Sequence, residues 1–147
     1  MPSRHVVASG VASAIFLSFT KSIPGTAACF FAGILIDLDH AFDFVVIKKK
    51  MYRSFKELKT FCASRDDKKI YLWLHSYEVL AVLWALAFIF GASPVYAGIL
   101  WGMTIHLFLD QLTNPIHPLS YFLVYRIKLG FPKDIFFVER QPQSWVG

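Results

Sequence analysis

The feature that most constrains this chain is the set of ionisable residues embedded in its apolar stretches. Residues 23–47 carry Asp37, Asp39, His40 and Asp43, residues 70–90 carry His75 and Glu78, and residues 94–112 carry His106 and Asp110. A charge placed alone in an apolar helix is costly, by about 2.5–3.5 kcal/mol on insertion scales. A fold built from these segments must therefore gather the ionisable groups and neutralise them together.

The surroundings of these groups suggest a class. Apolar residues make up 56% of the chain and charged residues 17%, against roughly 45–50% and about 25% in average soluble proteins. The excess falls in blocks at 6–22, 23–47, 70–90 and 94–112, near the roughly 17–25 residues that a helix needs to cross a bilayer. The expectation is an all-α polytopic membrane protein, a bundle of about four transmembrane helices with interfacial helices, forming a single domain over 1–147. Gly91-Ala92-Ser93-Pro94 reads as a turn between the last two spans. Arg4 followed by an apolar run resembles a secretory leader. The chain continues as Phe30-Phe31-Ala32-Gly33-Ile34-Leu35-Ile36, however, which favours a retained first span.

The charge pattern gives an expected orientation. The net charge is +5. Fourteen of the 15 lysines and arginines fall in Arg4, the loop 48–69 and the tail after the fourth span, and Lys21 stands alone on the other side. The positive-inside rule then puts both termini and the loop in the cytoplasm. A basic surface of this kind favours membrane lipids over nucleic acid as partner. Within the loop, Ser54-Phe55-Lys56-Glu57 reads as a capping box opening a short helix on the membrane surface. The tail 118–147 reads as interfacial. Cys29 and Cys62 lack any Cys-x-x-Cys spacing, so both are expected to be free thiols.

In that orientation His5, Asp37, Asp39, His40, His75, His106 and Asp110 all lie in one layer at the cytoplasmic end of their helices. His106 and Asp110, four residues apart, share a helix face, as do His75 and Glu78 at a spacing of three. Mixed imidazole and carboxylate donors suit zinc, with manganese or iron as alternatives. Asp43 and Glu78 also fit as solvated helix caps, and His117, between prolines, as a loop residue. A polar network without metal would need cations in the same layer, and the lysines sit out in the loop.

Ile36-Asp37-Leu38-Asp39-His40, Leu74-His75-Ser76 and His106-Leu107-Phe108-Leu109-Asp110 with Thr113, in this order, resemble the small membrane-bound metal-dependent hydrolases of the LexA-regulated inner-membrane type. The resemblance runs from His5 to Thr113. Where that family has an Arg-Gly-rich segment around its histidine, this chain has Leu74-His75-Ser76-Tyr77-Glu78. The run from His106 to His117 is also distantly similar to a metal-binding run of zinc phospholipases C and P1-type nucleases, with His117 one residue later than in that pattern.

The resemblance implies a bacterial inner-membrane enzyme whose metal activates water against a phosphate ester, a lipid phosphate or phospholipid before a nucleic acid. Asp39 or Asp43 would accept the water's proton, and Lys48, Lys49 and Lys50 would draw in the anionic substrate. Two other classes fit the same residues. A divalent-cation transporter would need polar groups along a whole path through its bundle, and a non-catalytic adaptor would keep the metal for structure alone.

Overall fold

The computed structural model describes residues 2–64, 67–114 and 117–136. It is all-helical: α1 (Pro2–Thr20), α2 (Ile23–Leu35), α3 (Leu38–Lys48), α4 (Phe55–Ala63), α5 (Tyr77–Phe90), α6 (Pro94–Thr113) and α7 (Leu123–Leu129), with 3-10 turns at Pro118–Tyr121 and Lys133–Phe136. Four helices open with the same device, a serine side chain accepting the N–H three residues on. Ser22 serves α2, Ser54 α4, Ser76 α5 and Ser93 α6, at 3.1–3.3 Å. Such caps satisfy a donor that the first helical turn leaves free. Pro24 and Pro94 occupy the first turns, where no N–H partner is lost.

The architecture is centred on α1, α2 and α6. Gly25, Cys29 and Gly33 recur every four residues on α2, and Gly98 and Gly102 do so on α6, so each set lines one face. The two backbones meet along this seam. A Cβ on Gly98 would fall 2.0 Å from the Gly25 carbonyl oxygen, and one on Gly102 would fall 2.2 Å from that of Cys29. On α1 the Ser9 side chain fills the space over Gly33. Ala12, Phe16 and Cys29 fill the contact at one end, beside Ala97, Trp101 and Ile105. Towards the other end, Ile36, Leu80, Met103, Leu107 and Tyr121 bring in α5 and the turn after α6.

The expected four-span bundle is not what forms. No helix among the described residues is long and apolar enough to cross a membrane. The block 23–47 breaks at Ile36-Asp37 into helices of 13 and 11 residues, so the longer reaches only about 20 Å. In the block 70–90 the helix starts at Tyr77 and has 14 residues. Helices α1 and α6 have the length, with 19 and 20 residues, but serines, glycines, His5, His106 and Asp110 dilute their apolar character. This overturns the polytopic membrane architecture and, with it, the multi-pass inner-membrane localisation and the assignment of both termini to the cytoplasm. The long apolar blocks misled because residues that pack helix against helix produce the same runs of apolar sequence.

The loop 48–69 contains α4, where Ser54 accepts from the N–H of Glu57 and Glu57 reaches back to the N–H of Arg53 at 2.7 Å. Instead of facing a membrane surface, α4 sets Leu58 and Phe61 against Phe44 of α3. Of the tail 118–147, residues 137–147, including Arg140, lie outside the described residues, as do Arg65 and Pro115.

Candidate metal centre

Four segments deliver side chains to one place. His5 comes from the first turns of α1, and His106 and Asp110 from the end of α6. Between α2 and α3 the chain tightens into i to i+3 bonds, Asp37 N–H to Ile34 O and Asp39 N–H to Ile36 O. This break turns Asp37 and His40 towards α6. His75 comes from the non-helical stretch that precedes α5.

The resulting distances are short. His5 Nε2 lies 3.3 Å from Asp110 Oδ1, and His106 Nε2 lies 3.5 Å from Asp110 Oδ2. Asp37 Oδ1 lies 3.6 Å from His75 Nε2 and 3.5 Å from His106 Nε2. His75 Nε2 is 3.9 Å from Asp110 Oδ2. The rings of His5 and His106 stack at 4.3 Å, while those of His40 and His75 lie 5.0 Å apart. Two sets of three donors emerge: His5, His106 and Asp110, and Asp37, His40 and His75, the donor atoms of each lying within 4.8 Å of one another. These groups could hold a metal ion. Donors around a tetrahedral ion with bonds of about 2.0–2.2 Å would stand about 3.3–3.6 Å apart, close to the separations found.

The orientation of the rings points the same way. His106 Nδ1 stands 2.7 Å from the Gly33 carbonyl oxygen. That oxygen can only accept, so Nδ1 carries the proton and Nε2 is free to act as a ligand. His75 Nδ1 faces Asp39 Oδ2 at 3.3 Å, which turns its Nε2 towards Asp37 and Asp110. A ligating histidine is characteristically held through its other nitrogen by a carbonyl or carboxylate. His75 Nε2, His106 Nε2, His5 Nδ1 and His40 Nδ1 are all buried without a hydrogen-bond partner. Such orphaned atoms are uncommon in a finished fold.

Without an ion the cluster is electrostatically uneven. Burial, its largest influence, pushes His75 down, but Asp37 and Asp39 outweigh it and raise the imidazole to about 9. Burial, with His75 beside it, drives His40 down to about 4. Burial lowers His5 too, and His106 adds to this. Asp37, against the upward pull of burial, is held at about 2 by His75, His106 and His40. Its side chain is 42% exposed while those of His75, His106 and Asp110 are nearly sealed, so the centre opens at Asp37.

The remaining sequence-derived candidates lie elsewhere. Asp39 is buried and receives the N–H groups of Leu74 and His75 as well as the His75 ring. Asp43 is fully buried and accepts from the N–H groups of Tyr71 and Leu72 at 2.6 and 3.0 Å. Both carboxylates expected to be bases therefore support the stretch that carries His75. Both oxygens of Glu78 accept N–H groups at the start of α7, from Leu123 and Val124. His117 caps the turn Pro118–Tyr121. Lys48 pairs with Asp67 at 2.8 Å and Lys50 with Glu57 at 2.9 Å. Both line a groove of about 480 Å³ between α3 and α4. Lys48 and Asp37 sit at opposite ends of α3, about 16 Å apart along its axis, and Lys49 ends that helix in a left-handed turn.

Two residues escaped the sequence reading. Arg126 on α7 is fully buried and donates to the carbonyls of Tyr71, Leu72 and His75. Tyr121 is buried and accepts from Asn114 at 3.1 Å, and burial with the nearby Asp110 carboxylate raises its phenol far above the ordinary range. No local pattern marks either residue, because their partners lie across the chain. No protein-family model, curated protein or solved structure matches this chain.

Proposed function

We propose that the chain is a metal-dependent hydrolase of phosphate esters, with zinc held among His5, Asp37, His40, His75, His106 and Asp110. The observation that carries the reading is the presence of two three-donor sets, in each of which one histidine, His106 or His75, is turned inward by an outer hydrogen bond. Three protein donors leave a coordination position open, the arrangement of catalytic rather than structural zinc. The imidazole and carboxylate donors suit zinc, manganese or iron better than magnesium or calcium.

The bound ion would supply a water of lowered pKa and a positive charge for a phosphoryl oxygen. Asp37, the most exposed of the six, would face an incoming water at the open edge, since Asp39 and Asp43 are committed to backbone N–H groups. His106 and His75 keep their Nε2 atoms in the centre through Gly33 and Asp39. Tyr121, with Asn114 behind it, steadies Asp110.

The full-length protein, stripped of metal and reloaded with zinc, manganese or iron, should be assayed on a soluble phosphomonoester, a phosphodiester and a dispersed lipid phosphate. Hydrolysis of at least one, lost on chelation and restored by metal, is expected, and the pattern defines the substrate. Tightly bound metal with no hydrolysis of any of the three would instead favour the structural role of a non-catalytic adaptor.

A further inference from the structure

We propose that Arg126 is a positioning residue of the metal centre: its guanidinium holds the backbone of the Tyr71–His75 stretch so that His75 presents Nε2 to the other donors. The inference rests on the metal reading above and adds to it a residue that reaches the six donors only through the backbone carbonyl of His75.

The stretch from Tyr71 to His75 is an anomaly in an otherwise helical fold. Leu72 is buried with φ +47°, in the left-handed region that a leucine seldom adopts. Its backbone groups cannot bond one another as they would in a helix, yet buried N–H and carbonyl groups need partners. Charged side chains supply them from two sides. Asp43 takes the N–H groups of Tyr71 and Leu72, and Asp39 those of Leu74 and His75. Arg126 Nη1 donates to the carbonyls of Tyr71 and Leu72, the latter at 2.8 Å, and Nη2 to that of His75 at 3.0 Å. One planar fork thus spans five residues of backbone, which a single ammonium cannot do.

The consequence reaches the donor atom. The His75 carbonyl is held by Arg126, its N–H by Asp39 and its ring Nδ1 by the same Asp39 carboxylate. With both ends of the residue pinned, rotation of the ring away from Asp37 and Asp110 is blocked. The guanidinium also puts a buried positive charge in the field of Asp39 and Asp43. His106 is held independently, by Gly33 of α2, and so serves as an internal control.

The test uses the metal-free full-length chain with ¹⁵N-labelled histidine, comparing wild type with Arg126→Lys and Arg126→Met. In wild type, hydrogen-bonded Nδ1–H resonances are expected for both His75 and His106. In the variants the His75 signal should shift or exchange away while the His106 signal stays. Zinc affinity should fall about 10–100-fold, the range for residues that orient metal ligands. In Arg126→Ala, added methylguanidinium should recover both the His75 signal and the affinity. A folded Arg126→Lys or Arg126→Met with an unchanged His75 signal and full zinc affinity would overturn the proposal. So would loss of the His75 and His106 signals together in every variant, since this would show a general structural role. If wild type binds no zinc, the metal reading fails, while the contrast between the two histidine signals still decides what Arg126 does.

Discussion

The seam between α2 and α6 and the layer around His75 solve the same packing problem with opposite means. Along the seam the chain removes side chains: Gly25, Gly33, Gly98 and Gly102 let backbone approach backbone, and each helix satisfies its own hydrogen bonds. In the layer the chain abandons the helix from Ile70 to Ser76 and satisfies the exposed backbone with Asp39, Asp43 and Arg126. The first solution is steric and tolerates no added atom. The second is electrostatic, and it leaves imidazole nitrogens near Asp37 and Asp110 without a hydrogen-bond partner. Stability should accordingly be concentrated in the seam and function in the layer.

The largest effect is expected from overfilling the seam. Gly102→Ala would place a methyl group 2.2 Å from the Cys29 carbonyl oxygen and 3.0 Å from the Gly33 nitrogen, both backbone atoms that cannot swing aside. A loss of about 3 kcal/mol, or about 6–12 °C in Tm, is expected. Denaturation that leaves Gly102→Ala within a degree of wild type would show that the helices do not approach so closely.

Asp39→Asn probes the layer. The amide oxygen can still accept from Leu74 and His75, so melting should change little. The charge that orients the His75 ring is lost, however, and zinc affinity should weaken about 10–100-fold. Equal damage to melting and to zinc binding would erase the division of labour between the two regions.

A smaller effect comes from pH. Burial raises the Asp43 carboxyl to about 6, even though the N–H groups of Tyr71 and Leu72 pull it down. The folded protein then holds this proton more tightly than the unfolded chain, so the contribution of Asp43 is most favourable below about pH 4. It is lost as pH rises through about 6. Asp43→Asn, which has no charge to bury, should gain on wild type by about 1–2 kcal/mol between pH 4 and pH 7. Parallel Tm curves for the two proteins would remove Asp43 as a titrating group.

The smallest change tests the seam from outside. Gly10 lies in α1 beside Ser9 but has nothing within 4 Å of where a Cβ would stand. Gly10→Ala should stabilise the helix by about 0.5–1 kcal/mol. Destabilisation there would mean that the small residues of α1 pack more extensively than the structure shows.

Part of the layer was visible in the sequence, the glycine seam was not, and the reasons are physical. The i, i+4 spacing of His106 and Asp110, the Ser93-Pro94 helix start and the Ser54–Glu57 cap are local signals, and the elements form where those signals lie. The convergence of His5, Asp37, His40 and His75 on His106 and Asp110 followed from the need to neutralise buried charge. The break at Ile36-Asp37 and the non-helical start of the third apolar block were not visible. The break closes on short i to i+3 bonds, and the backbone of the non-helical start is satisfied by side chains 28 to 55 residues away, which no periodicity reports. The same blindness made Asp39 and Asp43 look like bases, because their counter-ion Arg126 sits in a tail that reads as peripheral.

X-ray absorption at the zinc edge of the loaded full-length protein tests the central claim most directly. Bound zinc is expected to be surrounded by nitrogen and oxygen only, at about 2.0–2.2 Å, with the multiple-scattering signature of imidazole, weakened in His106→Ala. Failure of the folded protein to retain zinc, or a sulfur shell near 2.3 Å implicating Cys29 or Cys62, would contradict it.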